Sequence, residues 1–286
     1  MGAPTSETAL IAPSLLLLPV AAIAADPGDG GFHGPSIADF FPPVIFFAGT
    51  PFELNRLMII RLIAIAALVL LLWLGARRMQ VVPSRGQVVF EYVVNFARKN
   101  LVIDILGEKD GRRFMGVIMA IFFTVLAMNL TGVIPGLQLA GTANIGVPLV
   151  LAVVAYVLFI YAGIQRHGLK YFKNALILPG VPIFLTPFLA VLEFLSTFIV
   201  RPVTLILRLL MNLVAGHMLL VLCFTATQFF FFTVLAQGNF LGLLGVGTFA
   251  FSIAFTVLEL FVAALQAYVF AVLTAIYIQI SLAEEH

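Results

Sequence analysis

The chain has 286 residues, of which 62% are hydrophobic and 10% charged. Soluble domains carry about a quarter charged residues, so this composition excludes a soluble fold and points to the membrane class. The single cysteine, Cys223, excludes an internal disulfide and a cysteine-based metal site, and no basic run with interleaved aromatics suggests nucleic acid.

Residues 9–25 are apolar and end in Ala22-Ile23-Ala24, the form of a signal-peptide cleavage site. The basic start of such a leader is missing, since the first eight residues hold Glu7 and no Lys or Arg. A cleaved leader and an apolar tail interrupted by Pro13 and Pro19 therefore both stay open. Residues 26–53 read as a Gly/Pro-rich linker with Asp26, Asp29, Asp39 and Glu53 and no basic residue, which suits the outer side of a membrane. Residues 1–53 are thus expected as an external tail and linker, and 54–286 as a single helical membrane domain.

The first span is predicted over 57–76, long enough as a helix to cross a hydrocarbon core of about 30 Å. Arg61 can snorkel to the headgroups one turn away, and Trp73 marks the opposite interface. Arg77, Arg78, Arg85, Arg98, Lys99, Lys109, Arg112 and Arg113 follow, and this basic block predicts a cytoplasmic segment. Within it, Val89, Val93, Phe96 and Ile103 recur at helical spacing among Glu91, Asn95, Arg98 and Lys99. Residues 86–106 therefore read as an amphipathic helix lying along the interface.

From Phe114 to Gln165 there is no charged residue for 52 positions, and Pro135-Gly136 and Pro148 divide the run into spans over 114–134 and 147–165. Arg166, His167, Lys170 and Lys173 return the chain to the cytoplasm. Pro179, Pro182 and Pro187 punctuate the next entry. From Asn174 to Ala283, 110 residues carry four formal charges, Glu193, Arg201, Arg208 and Glu259. Two long helices are predicted there, over 188–224 and 248–283, with a Phe-rich connection around Gln237-Gly238-Asn239. At about 55 Å each they exceed the bilayer core, so both must tilt steeply. The expected fold class is an all-α membrane protein with five spanning helices and one interfacial amphipathic helix. Five crossings from an external N-terminus put the C-terminus in the cytoplasm.

Charges inside a bilayer cost about 2.5–3.5 kcal/mol each at a helix centre, so each is a functional candidate. Two antiparallel helices bring residues with a constant index sum to one depth. Arg208 and Gln266 add to 474, and His217 and Glu259 to 476. Half of either sum falls at 237–238, on the predicted turn. Arg208 and Gln266 are therefore expected near mid-depth, His217 and Glu259 nearer the outer side, and Glu193 near the cytoplasmic end. At about 100° per residue His217 points opposite Arg208, while Asn212 shares the Arg208 face. Arginine does not deprotonate in proteins, so Arg208 can attract an anion but cannot relay a proton. His217 and Glu259 can exchange protons. A titratable outer pair, a fixed cation and an inner carboxylate describe two half-channels with a barrier between them.

The run from Leu207 through Arg208, Asn212, Ala215 and Gly216 to His217 resembles the signature helix of subunit a of F-type ATP synthases. Glu259, followed by Leu265-Gln266-Ala267-Tyr268 and then Leu273-Thr274 and Tyr277, resembles the family's second long helix, with Ala283-Glu284-Glu285-His286 at the end. Asn129-Leu130-Thr131-Gly132-Val133-Ile134-Pro135-Gly136 resembles its Asn-Leu turn. The resemblance covers residues 35–286. It implies a stator subunit whose Arg208 faces the carboxylates of a rotating c-ring. Protons would enter past His217 and Glu259 and leave by an inner path at Glu193, and Gln266, Asn212 and Ser196 are further candidates along the proton path. The spacing from Glu193 to Arg208 is one residue longer than in several relatives, which leaves its facing open. The implied partners are the c-ring, peripheral-stalk b-type subunits, the rest of the synthase and the lipid bilayer, with no cofactor and no metal.

Blander roles stand beside these. Arg208 could close a salt bridge within the bundle, and His217 and Glu259 could be a satisfied hydrogen-bonded pair. Gln266 and Asn212 could tie helices together, and Ser196 could bond back to its own helix. Glu193 could be an interfacial carboxylate, and Arg201 could snorkel to the cytoplasmic headgroups, since Pro202 bends the helix there. The other functional classes are a secondary ion-coupled transporter, which would show an internal repeat that this sequence lacks, and a non-conducting assembly subunit. No P-loop is present, so nucleotide chemistry is expected on partner subunits. Nothing in the sequence chooses H⁺ over Na⁺, because in that family the selecting site lies on the ring.

Overall fold

The structure, a computed structural model, describes residues 44–46, 54–77, 84–134, 145–168, 171 and 185–283. The leader-like segment 9–25, the Pro135-Gly136 turn, Lys170, Lys173, Pro179, Pro182 and the last three residues lie outside them. Strand β1 (Val44–Phe46) pairs antiparallel with β2 (Leu54–Asn55), Val44 opposite Asn55 and Phe46 opposite Leu54. A strand in the expected linker thus pairs with one at the start of the expected membrane domain, ahead of the first helix. Val44, Ile45 and Phe46 are β-branched and aromatic, and Pro42-Pro43 before them disfavours helix.

All the remaining elements are helical. They are α1 (Arg56–Arg77), α2 (Arg85–Phe96) with a π-helical continuation over Ala97–Ile103, α3 (Asp104–Val133) and α4 (Gly146–His167). Then come α5 (Thr186–Phe194), a π stretch (Leu195–Val200), α6 (Arg201–Gln228), a second π stretch (Phe229–Val234), a 3₁₀ turn (Phe240–Leu243) and α7 (Leu244–Leu282). Among the described residues five stretches are long and apolar enough to cross a membrane: Leu57–Arg77, Arg85–Val133, Gly146–His167, Thr186–Val234 and Phe240–Leu282.

Two boundaries differ from the sequence reading. The predicted interfacial helix and second span form one helical run, broken at Gly107, whose φ of 75° and ψ of 173° are non-helical. A Cβ disfavours that conformation, so glycine sets the kink. Beyond it the helix begins ahead of Phe114, through Glu108 and Arg112, which pair at 3.5 Å on the exposed surface. Charged residues end the hydrocarbon depth without ending the helix, and hydropathy reads only the former. The fourth span continues to Val234 because Phe229–Val234 is helical rather than a connection. The break comes at Gly238, with φ 77°, within the Gln237-Gly238-Asn239 turn expected from the sequence. Its N–H donates to the Leu235 carbonyl at 2.9 Å, and the Asn239 side chain caps the 3₁₀ turn by accepting from the Leu241 N–H at 3.1 Å. The 49 residues from Thr186 to Val234 extend about 70 Å, against about 30 Å of hydrocarbon.

The chain divides into two compact units. One contains the chain up to Val69, Leu126–Asn144 and Asn212–Ala264. Leu57, Ile60 and Ala64 of α1 are buried in it. The buried Asn129 at the end of α3 donates from Nδ2 to the Ala263 carbonyl of α7 at 3.3 Å. In hydrocarbon an unpaired amide is costly, and this bond satisfies both groups.

The other unit contains Leu70–Val125, Ile145–Met211 and Leu265–His286. Here Arg113, at the start of α3, donates to the Tyr161 hydroxyl near the end of α4 at 3.1 Å. Trp73 stacks under Arg77, with the guanidinium 4.9 Å from the ring centre. The Phe90 ring of α2 sits where a Cβ on Gly75 would go, and the Phe96 ring lies 6.2 Å from Tyr268 of α7. Tyr171 folds over Gly163 in the same way and shares a 3.2 Å hydrogen bond with Ser281. On α7, Ala267, Ala271 and Ala275 are buried at four-residue spacing, a small-residue ladder that permits close helix approach. Outward faces are apolar and exposed, as at Val150 and Val191, and α2 presents Val88, Val89 and Tyr92. Such surfaces suit lipid, and the amphipathic α2 suits its interface.

Candidate functional site

In the first unit His217 and Glu259 are both buried. The Glu259 carboxylate lies directly against Gly216, so that a Cβ at position 216 would overlap the carboxyl carbon and both oxygens. Gly216 is the one residue type that leaves room for a carboxylate between the two helices. Gly216 with Glu259, and Thr227 with Thr248, each add to 475, inside the register of 474–476 read from the sequence. His217 shares the buried face of α6 with Leu213 and Leu220, and Asn212 is half-buried.

Polar groups continue from this pair along the same helices. Thr248, Ser252, Thr256 and Glu259 recur at spacings of three or four and so share one face of α7. Thr227 of α6 meets Thr248 at 3.1 Å and Ser252 at 3.5 Å between hydroxyl oxygens. Sequence reading missed this row. Its members also bond within their own helix, as Ser252 does to the Thr248 carbonyl at 2.8 Å, and such back-bonding is the ordinary fate of helical Ser and Thr. Asn129, one helical turn beyond Glu259 through Ala263, was legible only as part of a turn motif. An amide inside an otherwise apolar span was the signal.

In the second unit Arg208 is exposed, whereas Leu205 and Leu209 beside it are buried. Arg208 and His217 thus occupy outward and inward faces of one helix, α6. Gln266 is half-buried next to the buried Ala267. Glu193 accepts a hydrogen bond at Oε1 from the Thr197 hydroxyl at 3.1 Å, and the same oxygen lies 3.7 Å from Arg201 Nη2. Arg201 also lies over the Tyr277 ring at 5.4 Å, and that ring packs on buried Phe159. Ser196 is half-buried, and its carbonyl accepts the Arg201 N–H in the i→i+5 pattern.

That π turn explains a pairing the spacing rule did not find. On a regular α-helix residues eight apart are about 80° out of line. Leu195–Val200 takes up an extra residue in its turn, which brings Arg201 back toward the Glu193 face. Thr197, four residues after Glu193, was available from spacing alone.

A multi-helix membrane subunit, with an arginine exposed on an apolar helix in one unit and a buried histidine and a buried carboxylate in the other, is the class defined by this fold and site. The family model described as ATP synthase A chain matches residues 58–279. An ATP synthase subunit a from Rhodococcus erythropolis is 46% identical over 271 residues, covering 94% of this chain and 96% of that one. An ATP synthase subunit a from Pseudarthrobacter chlorophenolicus is 34% identical over 250 residues, covering 87% and 93%. The chain belongs to the ATP synthase A chain family. It is a multi-pass membrane subunit of an ATP synthase, with a stator role in proton transport and ATP synthesis.

Proposed function

We propose that the chain provides two offset half-channels to the carboxylates of a rotating c-ring, with Arg208 as the barrier between them. The observation that carries this reading is the exposure of Arg208 on an apolar helix whose inward face holds His217. A guanidinium at that depth needs an anion, and a ring carboxylate is the anion a neighbouring ring would present. His217 and Glu259 form the outer access path and Glu193 belongs to the inner one, with Asn212, Gln266 and Ser196 as further groups along the proton path. Residues 54–286 act as one membrane domain, 1–53 lie outside, and b-type stalk subunits hold the chain against the ring's torque.

The sidedness rests on the basic clusters, which put the N-terminus outside and the C-terminus in the cytoplasm of a bacterial-type inner membrane. Arg112 is exposed and so can report it. An Arg112→Cys variant is expected to react with an impermeant thiol reagent in inside-out vesicles and to resist it in intact cells. Labelling from the outer side would reverse the assignment of both access paths.

A further inference from the structure

We propose that Arg201 is a positioning residue for Glu193, holding its carboxylate in the orientation that the inner proton path uses. The inference rests on the reading of Glu193 as the inner-path carboxylate. Four observations carry it. The Arg201 guanidinium is 3.7 Å from Glu193 Oε1, and the Thr197 hydroxyl donates to that same oxygen at 3.1 Å. The Arg201 guanidinium also lies over the Tyr277 ring, at 5.4 Å from its centre. The π stretch Leu195–Val200 rotates Arg201 into reach, and π turns concentrate at functional positions. The two side chains remain 21% and 35% exposed, so the pair is reachable by water or by a partner.

Both contacts fall on Oε1, which leaves Oε2 to take and give the proton. A proton released by a ring carboxylic acid binds the Glu193 carboxylate at Oε2 and departs from there to water. Arg201 keeps its own protons throughout, since a guanidinium does not deprotonate in proteins. Lysine would retain the charge but lose the planar contact with Oε1 and the stack on Tyr277.

The test is proton-driven ATP synthesis by the complete, reconstituted complex, with rates taken per assembled complex. Arg201→Gln is expected to lower the rate about tenfold, the effect of losing a hydrogen bond or ion contact to a charged group. Arg201→Lys should recover part of that loss through its charge, but not the share owed to the planar contact and the Tyr277 stack. In a Glu193→Gln background, Arg201→Gln should cost nothing further, because a residue acting only through Glu193 has nothing left to position. Thr197→Val supplies a second, nearly isosteric probe should Arg201→Gln fail to assemble. It is expected to cost a few-fold alone and nothing in the Glu193→Gln background. Additive losses in that background, no recovery by lysine, or a wild-type rate in both Arg201→Gln and Thr197→Val with Glu193→Gln impaired would overturn the role of Arg201. A wild-type rate in Glu193→Gln itself would instead overturn the assignment of Glu193 to the inner path.

Discussion

Arg208→Ala is expected to abolish ATP synthesis driven by a proton gradient while leaving the membrane sector able to leak protons. The arginine is permanently charged and exposed on α6. In the mechanism proposed above, a passing ring carboxylate would be drawn to it in the ionised form and would release its proton into one path before meeting the other. Without the cation, a protonated ring site can pass between the two paths without a full turn of the ring. Each proton carries about 2.3 kcal/mol per 100 mV, and such slippage dissipates all of it. Arg208→Lys is expected to rescue little, because a lysine enclosed between this helix and the ring would deprotonate more readily than arginine and lacks the planar fork. Synthesis and passive flux measured on the same vesicles check this. Coupled synthesis near the wild-type rate in Arg208→Ala would remove the arginine from the mechanism.

The second large effect is expected from replacing His217 and Glu259 together with alanine. Both are buried at one level of the α6–α7 hairpin, where Gly216 admits the carboxylate. Positioned acid–base groups contribute about 10²–10⁴-fold to proton transfers, so uptake from the outer side should fall by at least about a hundredfold. The ring should remain bound, since neither residue lies on the exposed Arg208 face. Each single variant should retain more activity than the pair, because the Thr248–Ser252–Thr256 row and the other partner still line the path. Stopped-flow proton uptake under an imposed potential reads the effect. Uptake at the normal rate in the double variant would show that protons travel elsewhere.

Much of this arrangement was legible in the sequence. Apolar runs between basic clusters gave five spans, because lipid forbids charge and the chain has few charges to misplace. The index-sum argument located the α6–α7 turn and the level of Glu259, because two antiparallel helices of constant rise leave register no freedom. The α-helical period also put Arg208 and His217 on different faces. What escaped the sequence depends on departures from that period. Arg201 meets Glu193 only because Leu195–Val200 is π-helical, and nothing in Leu-Ser-Thr-Phe-Ile-Val announces a π turn. The helical continuation through Phe229–Val234 was read as a connection because Gly238, not the phenylalanines, stops it. The hydroxyl row beside Glu259 is invisible for a different reason. Threonine and serine are common in membrane helices, and only the facing of two helices shows which of them meet.

The most direct test of the account compares passive proton conductance in vesicles that hold this chain alone, the ring of small two-helix subunits alone, and both together. Two half-channels that do not join predict that each component alone is tight, that the two together conduct, and that the His217→Ala/Glu259→Ala double variant closes the pair again. Conduction by this chain alone at the rate of the pair would contradict the account, because it would mean a continuous path through the bundle that needs no ring.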